Sequence, residues 1–328
     1  MDNKIKSWGR RRVIDLTAPE NCSGTIVVVG SGRSGTTWLA ELLRTLDGYK
    51  YLHEPLNLDF HSEARRAGFD WRTYIGPDEH APWAEDYLEG ALTGHLYEPQ
   101  AWYLQSKTYL GKFYEHYHSQ NLVVKFCRAH RLIHWLRNRF DVQGVVFIVR
   151  HPCAVIASMN DHGGWNHVLN RESDPSELFR QSLSGDVPDT VCRDVRNRAG
   201  EITSPLKAEV VTWCVDHYVP FHVQTESDFQ WVLTSYERLL TQGVEELERV
   251  VEGIGKQVTP SMRASFDSAS RVASKDLTTD SVHKQLTKCR QKLSRAQIDT
   301  ILETVEAFDL DFYTEEPFPD YKLTAGYQ

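Results

Sequence analysis

The sequence predicts an α/β fold: a central parallel β-sheet flanked by helices. Two observations carry the prediction. Short, wholly apolar, β-branched runs recur along the chain and alternate with longer stretches of helical periodicity. The runs also lack the apolar–polar alternation of a half-exposed sheet, so helices must cover both faces, as they do in parallel sheets. A glycine-rich turn joins the first such run to the first helical stretch, which is where backbone N–H groups and a helix dipole make an anion site.

Each element follows in order. Thr25-Ile26-Val27-Val28-Val29 ends at Gly30 and reads as a buried strand. After the glycine-rich turn, Trp38, Leu39, Leu42, Leu43 and Leu46 recur at helical spacing up to Gly48. Tyr49–Leu52 is a second, short strand. Residues 57–118 are rich in Trp, Tyr, His and Pro and weakly periodic, which predicts helices and loops laid over one face, toward a substrate. Leu122–Phe126 is a strand, and Leu132, Ile133, Leu136 and Phe140 mark the helix after it. Val145–Val149 is a fully apolar strand stopped by Arg150-His151-Pro152, and Ala154–Met159 opens another helix. Residues 160–205 are loop-rich with some helix, Val210–Val219 is helical, and Trp231–Thr234 is the last strand. Leu239–Ile254 and Ala296–Phe308 are amphipathic helices.

Composition narrows the function classes. Lys plus Arg number 37 against 45 Asp plus Glu, a net charge of −8, which excludes a nucleic-acid coat. A small anionic ligand stays open, because a pocket can be basic inside an acidic shell. Residues 1–23 are expected to be a basic, flexible arm, and 24–328 one domain with a substrate-facing insertion around 57–118. The arm has no apolar segment behind it, and no run reaches the ~18 apolar residues of a membrane span. These features predict a cytoplasmic protein. Cys22, Cys127, Cys153, Cys192, Cys214 and Cys289 contain no CxxC pair and are expected to be reduced thiols.

The loop Gly30-Ser31-Gly32-Arg33-Ser34-Gly35-Thr36-Thr37 admits three readings. Gly30-x-Gly32-x-x-Gly35 matches the dinucleotide fingerprint, with Glu54 about 20 residues on, where a ribose acid belongs; this would make an NAD(P)- or FAD-binding oxidoreductase. Gly30 and Gly35 also have Walker A spacing, but Thr36 stands at the Lys position, which weakens an ATP or GTP enzyme. The third reading keeps the loop shape and moves its cation to Arg33, inside the turn.

That third reading is carried by residues at several places. Ser31-Gly32-Arg33-Ser34-Gly35-Thr36-Thr37-Trp38-Leu39 resembles the 5′-phosphosulfate loop of the sulfotransferase family, which binds PAPS (3′-phosphoadenylyl sulfate). In that family an Arg ends a central strand and a Ser follows eight residues later to hold the 3′-phosphate; Arg150 and Ser158 have that spacing. An Arg fork with a hydroxyl suits a phosphate dianion. Ser235-Tyr236-Glu237-Arg238-Leu239 resembles the family's segment whose Tyr approaches the nucleotide. His53-Glu54-Pro55-Leu56 resembles a segment of the carbohydrate-type members, and Ser265-Phe266 resembles the adenine-contact pair. The resemblance implies a P-loop NTPase-like sulfotransferase fold.

The resemblance also implies the chemistry. A sulfuryl group would pass from PAPS to a hydroxyl, less readily an amine, of a carbohydrate, lipid or small metabolite, releasing adenosine 3′,5′-bisphosphate without a metal. Gly32, Ser34, Gly35, Thr36 and Thr37 would hold the 5′-phosphate, Trp38 would stack on adenine, and Arg33 would meet the leaving oxygen and the sulfuryl group. Tyr236 would face the nucleotide, and Lys125 would add a cation. The general base stays open between Glu54, His130 and His53. Two departures stand out. The C-terminal Arg-Lys-Gly clamp of the aryl and steroid members is matched only by His283-Lys284-Gln285, so Lys284 is the candidate. Lys125-Phe126-Cys127 occupies the segment where those members carry Lys-x-His. His130 and His134 stand at i, i+4 but have no third ligand nearby in sequence, so no metal is expected. The Trp and Tyr residues between 71 and 117 suit stacking on an acceptor or a place in the core.

Overall fold

The computed structural model describes residues 14, 16–96, 102–103, 108–161, 174–183, 187–222, 231–273 and 279–321. Strand β1 (Ile26–Val29) leads through the glycine-rich turn into helix α1 (Thr36–Leu43), and β2 (Tyr49–His53) follows. Helices α2 (Ser62–Ala67) and α3 (Pro82–Leu92), a two-residue strand β3 (Trp102–Tyr103) and helix α4 (Tyr109–His118) fill the aromatic-rich stretch. Strand β4 (Asn121–Phe126), helix α5 (Ile133–Arg139), strand β5 (Gly144–Val149) and helix α6 (Pro152–Asp161) come next. Helices α7 (Pro175–Ser182), α8 (Asp189–Ala199) and α9 (Pro205–His222) precede β6 (Val232–Ser235). The chain closes with α10 (Tyr236–Gln242), α11 (Val244–Gly253), α12 (Pro260–Ala273), α13 (Thr279–Leu286), a 3₁₀ turn (Lys288–Gln291) and α14 (Arg295–Ala307).

The sheet order is β3-β2-β4-β1-β5-β6. Five strands are parallel, and β3 alone runs antiparallel, pairing Tyr51 with Tyr103 and Leu52 with Trp102. All five apolar runs are strands of this parallel sheet. β3 is too short to carry a sequence pattern. Successive residues of each strand feed opposite faces. Val27, Val29, Val124, Phe126, Val145 and Phe147 join one buried cluster; Ile26, Val28, Val123, Val146 and Ile148 join the other. Every residue of β1 is fully buried, which is why its sequence shows no alternation.

Three expectations change. Leu239–Ile254 is two helices, because Gly243 (φ 62°, ψ −126°) breaks the chain between α10 and α11 in a conformation disfavoured for other residues. Thr17 and Cys22 are buried, and Lys50 donates to the Thr17 carbonyl at 3.2 Å, so the last part of the expected arm packs on the domain. The dinucleotide reading fails on topology. Its fingerprint places the first strand beside the second, whose end carries the ribose acid. Here β4 lies between β1 and β2, so Glu54 ends a strand that is not the neighbour of β1. All six cysteines are free thiols. No helix among the described residues is long and apolar enough to cross a membrane.

Candidate functional site

The carboxyl ends of β2, β4, β1, β5 and β6 deliver Glu54, Lys125, the glycine-rich turn, Arg150 and Tyr236 to one rim of the sheet. Ligands of open α/β sheets bind at this rim. The turn itself is tightly built. A Cβ on Gly30 would lie 2.4 Å from the Ile148 carbonyl oxygen, so only glycine lets β1 leave the sheet there. Gly35 (φ 90°) caps α1 without any side-chain hydrogen bond, leaving the first N–H groups of the helix turned to the loop. Arg33 (φ 71°) and Glu54 (φ 47°) are two of three non-glycine residues with left-handed backbone among the described residues. Strain of this kind persists where surrounding structure imposes it and clusters at functional sites.

Arg33 Nε donates to Ser158 Oγ at 3.0 Å, and Arg150 donates to the Arg33 carbonyl at 2.7 Å. The Arg150 guanidinium lies over the Tyr236 ring, 4.1 Å from its centre. Burial lowers the Arg33 pKa, and the neighbouring Arg150 charge lowers it further. Arg33, Arg150, Ser158 and Tyr236 line one cavity of about 380 Å³. Lys288 and Lys292 line it too, whereas Lys284 stands exposed on α13 outside the lining. The C-terminal cations at this cavity are therefore one turn and two turns beyond the expected one. Among the described residues, Ser31 Oγ, Ser34 Oγ and Arg150 Nε are buried with no hydrogen-bond partner. Buried donors of this kind are costly unless something answers them.

Pro152 opens α6, as a proline suits a first helical turn, so Arg150 leaves the strand and Ser158 follows on the next helix. Ser235 caps α10 by accepting from the Arg238 N–H, which fixes Tyr236 at the helix start. Trp38 stacks on Phe266 with ring centres 5.4 Å apart and meets Tyr236 edge-on at 5.9 Å. These three rings form an aromatic corner beside the loop.

A second group surrounds Glu54. Lys125 Nζ donates to Glu54 Oε1 at 2.6 Å and to Thr37 Oγ1 at 3.3 Å; Arg128 donates to Glu54 Oε2 at 2.5 Å. Burial alone would raise the Glu54 pKa, but Lys125 and then Arg128 outweigh it and bring the pKa down to about 2. Arg128 stacks on Trp71, 4.5 Å from the ring centre. Sequence reasoning missed Arg128, since a lone arginine three residues after Lys125 has no pattern. The thiol of Cys127 lies 3.6 Å from Thr36 Oγ1, beneath the loop.

The two histidine candidates differ. His53 keeps its Nδ1 at 2.7 Å from the Tyr51 hydroxyl and its Nε2 at 3.8 Å from Glu54. Burial, then the Lys125 charge, pushes its pKa down to about 4. His130 stands apart from the loop, fully buried against Phe147 and His217, with its pKa pushed by burial to about 3. His134 meets the Pro220 carbonyl at 2.9 Å. No group of three or more His, Cys, Asp or Glu among the described residues is placed to hold a metal ion. A larger groove of about 920 Å³ runs along α1 past Glu41, Asp47 and Glu115, with Arg44 as its arginine, a lining ill-suited to a polyanion.

No curated protein matches the chain. Among solved structures it is similar to the sulfotransferase domain of the Synechococcus PCC 7002 olefin synthase (15% identity, 91% of this chain, 97% of that chain, TM-score 0.45). It is also similar to mouse sulfotransferase SULT7A1 complexed with PAP (12% identity, 90% of this chain, 89% of that chain, TM-score 0.41). A third is the sulfotransferase domain from the curacin biosynthetic pathway (15% identity, 81% of this chain, 96% of that chain, TM-score 0.39). The family model described as the sulfotransferase domain matches residues 23–308, which takes in the loop, both arginines, Tyr236 and the Lys288–Lys292 segment, and the chain belongs to that family.

Proposed function

We propose that this sulfotransferase uses PAPS and transfers to a hydroxyl, less readily an amine, of a carbohydrate, lipid or small metabolite. One observation carries the nucleotide reading. Arg33, Arg150, Lys288 and Lys292 converge with Ser158 on a single cavity that opens beside an uncapped helix N-terminus. Four cations and a hydroxyl fit a nucleotide with phosphates at both ends, and the unanswered Ser31, Ser34 and Arg150 donors fit the same ligand. When bound, PAPS supplies the sulfuryl group, and adenosine 3′,5′-bisphosphate is left behind.

The chain's own residues then divide the work. The loop amides with Thr36 and Thr37 hold the 5′-phosphate at the start of α1. Arg150 and Ser158 hold the 3′-phosphate, and Trp38, Phe266 and Tyr236 receive the base. Arg33 sits inside the turn, where a fixed cation offsets charge developing on a leaving oxygen. Lys125 is oriented toward the loop through Thr37. Glu54, ionised and held between Lys125 and Arg128, is the proton acceptor at the rim. His53, a neutral imidazole beside it, is the other base nearby, whereas His130 is enclosed in the core. The described parts of the 57–118 segment belong in this reading to the same domain and face the acceptor, supported by Trp71 against Arg128 and by the Tyr87 hydroxyl on the Pro55 carbonyl.

The test is a melting experiment. Adenosine 3′,5′-bisphosphate without magnesium should stabilise the protein by about 2.7 kcal/mol at a hundred times its dissociation constant. Stabilisation by NADH or Mg-ATP in its place would overturn the reading. Turnover of labelled PAPS against hydroxyl and amine acceptors then identifies the acceptor class.

A further inference from the structure

Asp161 is the one acid lining the cavity that Arg33, Arg150, Lys288 and Lys292 share. It stands on α6, the helix that also carries Ser158. It also lines a cavity whose other charged groups are all cationic. Ser158 lies three residues before it on the same helix face, so the carboxylate sits one turn from the hydroxyl assigned to the 3′-phosphate. What holds Asp161 is Lys292, whose ammonium pairs with its carboxylate. The pair ties α6 to Lys292, the residue after the 3₁₀ turn, and α6 packs against that turn.

We propose that Asp161 tempers nucleotide binding by competing with the 3′-phosphate for Lys292. This rests on the nucleotide reading of the cavity. In the empty enzyme Lys292 is held by the carboxylate. Binding exchanges that partner for a phosphate and leaves Asp161, which is half-exposed, to solvent. On departure the carboxylate takes the ammonium back. Four unopposed cations would hold a bisphosphate product tightly, and product release sets turnover in many transferring enzymes. Asp161 therefore shifts the balance toward release, and it discriminates by position, because it stands beside the 3′-phosphate subsite and not the loop.

Titration calorimetry and stopped-flow release on the full chain test this. The probes are adenosine 3′,5′-bisphosphate and adenosine 5′-monophosphate. Asp161→Asn should tighten the bisphosphate by about tenfold, the scale of one well-placed charge interaction, and slow its dissociation correspondingly. The monophosphate should change by less than about twofold. Lys292→Met should weaken the bisphosphate by about tenfold. Unchanged or weaker bisphosphate binding by Asp161→Asn overturns the proposal. Equal tightening of both nucleotides also overturns it, since that is a general charge effect. A wild-type protein that binds no bisphosphate overturns the nucleotide reading itself. Wild-type binding without a gain in Asp161→Asn removes the latch alone.

Discussion

Glu54 shows how one residue carries several constraints. Its backbone is left-handed, its N–H donates to the Lys125 carbonyl at 2.9 Å, and both carboxylate oxygens are taken by cations. Glu54→Gln would leave Lys125 and Arg128 without their counter-charge. Breaking a buried pair from one side costs about 3–5 kcal/mol, so urea unfolding should show a loss on that order. Turnover should fall by about 10²-fold or more while bisphosphate affinity stays near wild type. Near-normal turnover would move the base to His53. The pH dependence has a definite sign. The folded pKa of about 2 lies below the ordinary value of 4.5, so the stability from Glu54 is complete above about pH 4.5 and is lost as the pH falls toward 2. Acid unfolding of wild type against Glu54→Gln reads that window: the difference between them should shrink over it.

The strand–loop–helix unit is the element on which the site depends. Gly30 is fixed by the Ile148 carbonyl rather than by its own backbone angle, since a Cβ would also meet Thr36 Cγ2 at 2.9 Å. Gly30→Ala should destabilise by about 1–3 kcal/mol, the scale of overpacking a tight site, and thermal melting measures it. It should also weaken the bisphosphate, because the displaced turn carries the amides proposed to hold the 5′-phosphate. The unit itself was legible in sequence: a β-branched run, a glycine-rich turn and an apolar helix face all stand in order. The Arg150–Ser158 pair was legible too, because Pro152 announces the helix that separates them. What was not legible at this scale was β3, whose two residues have no period, and the break at Gly243, since glycine inside an amphipathic stretch is compatible with one helix or two.

At the scale of the whole molecule, a net charge of −8 coexists with a cavity lined by four cations. On the proposed nucleotide reading, local charge draws the bisphosphate against an unfavourable shell, so its affinity should fall with ionic strength. Raising salt from about 0.05 to about 0.5 M should weaken it by roughly tenfold, as screening shortens the reach of the exposed lysines. A dissociation constant insensitive to salt would place the binding elsewhere. The sequence by itself determined the strands, the glycine-rich turn between β1 and α1 and the helix that separates Arg150 from Ser158, because periodicity and turn chemistry are local and survive without contacts. Only the tertiary structure decided the strand order that removes a dinucleotide site, the pairing of Glu54 with Arg128, and Lys288 and Lys292 as the cations at the cavity. Those depend on which distant segments meet, and a pair such as Glu54 and Arg128, 74 residues apart, leaves no periodic trace in a single chain.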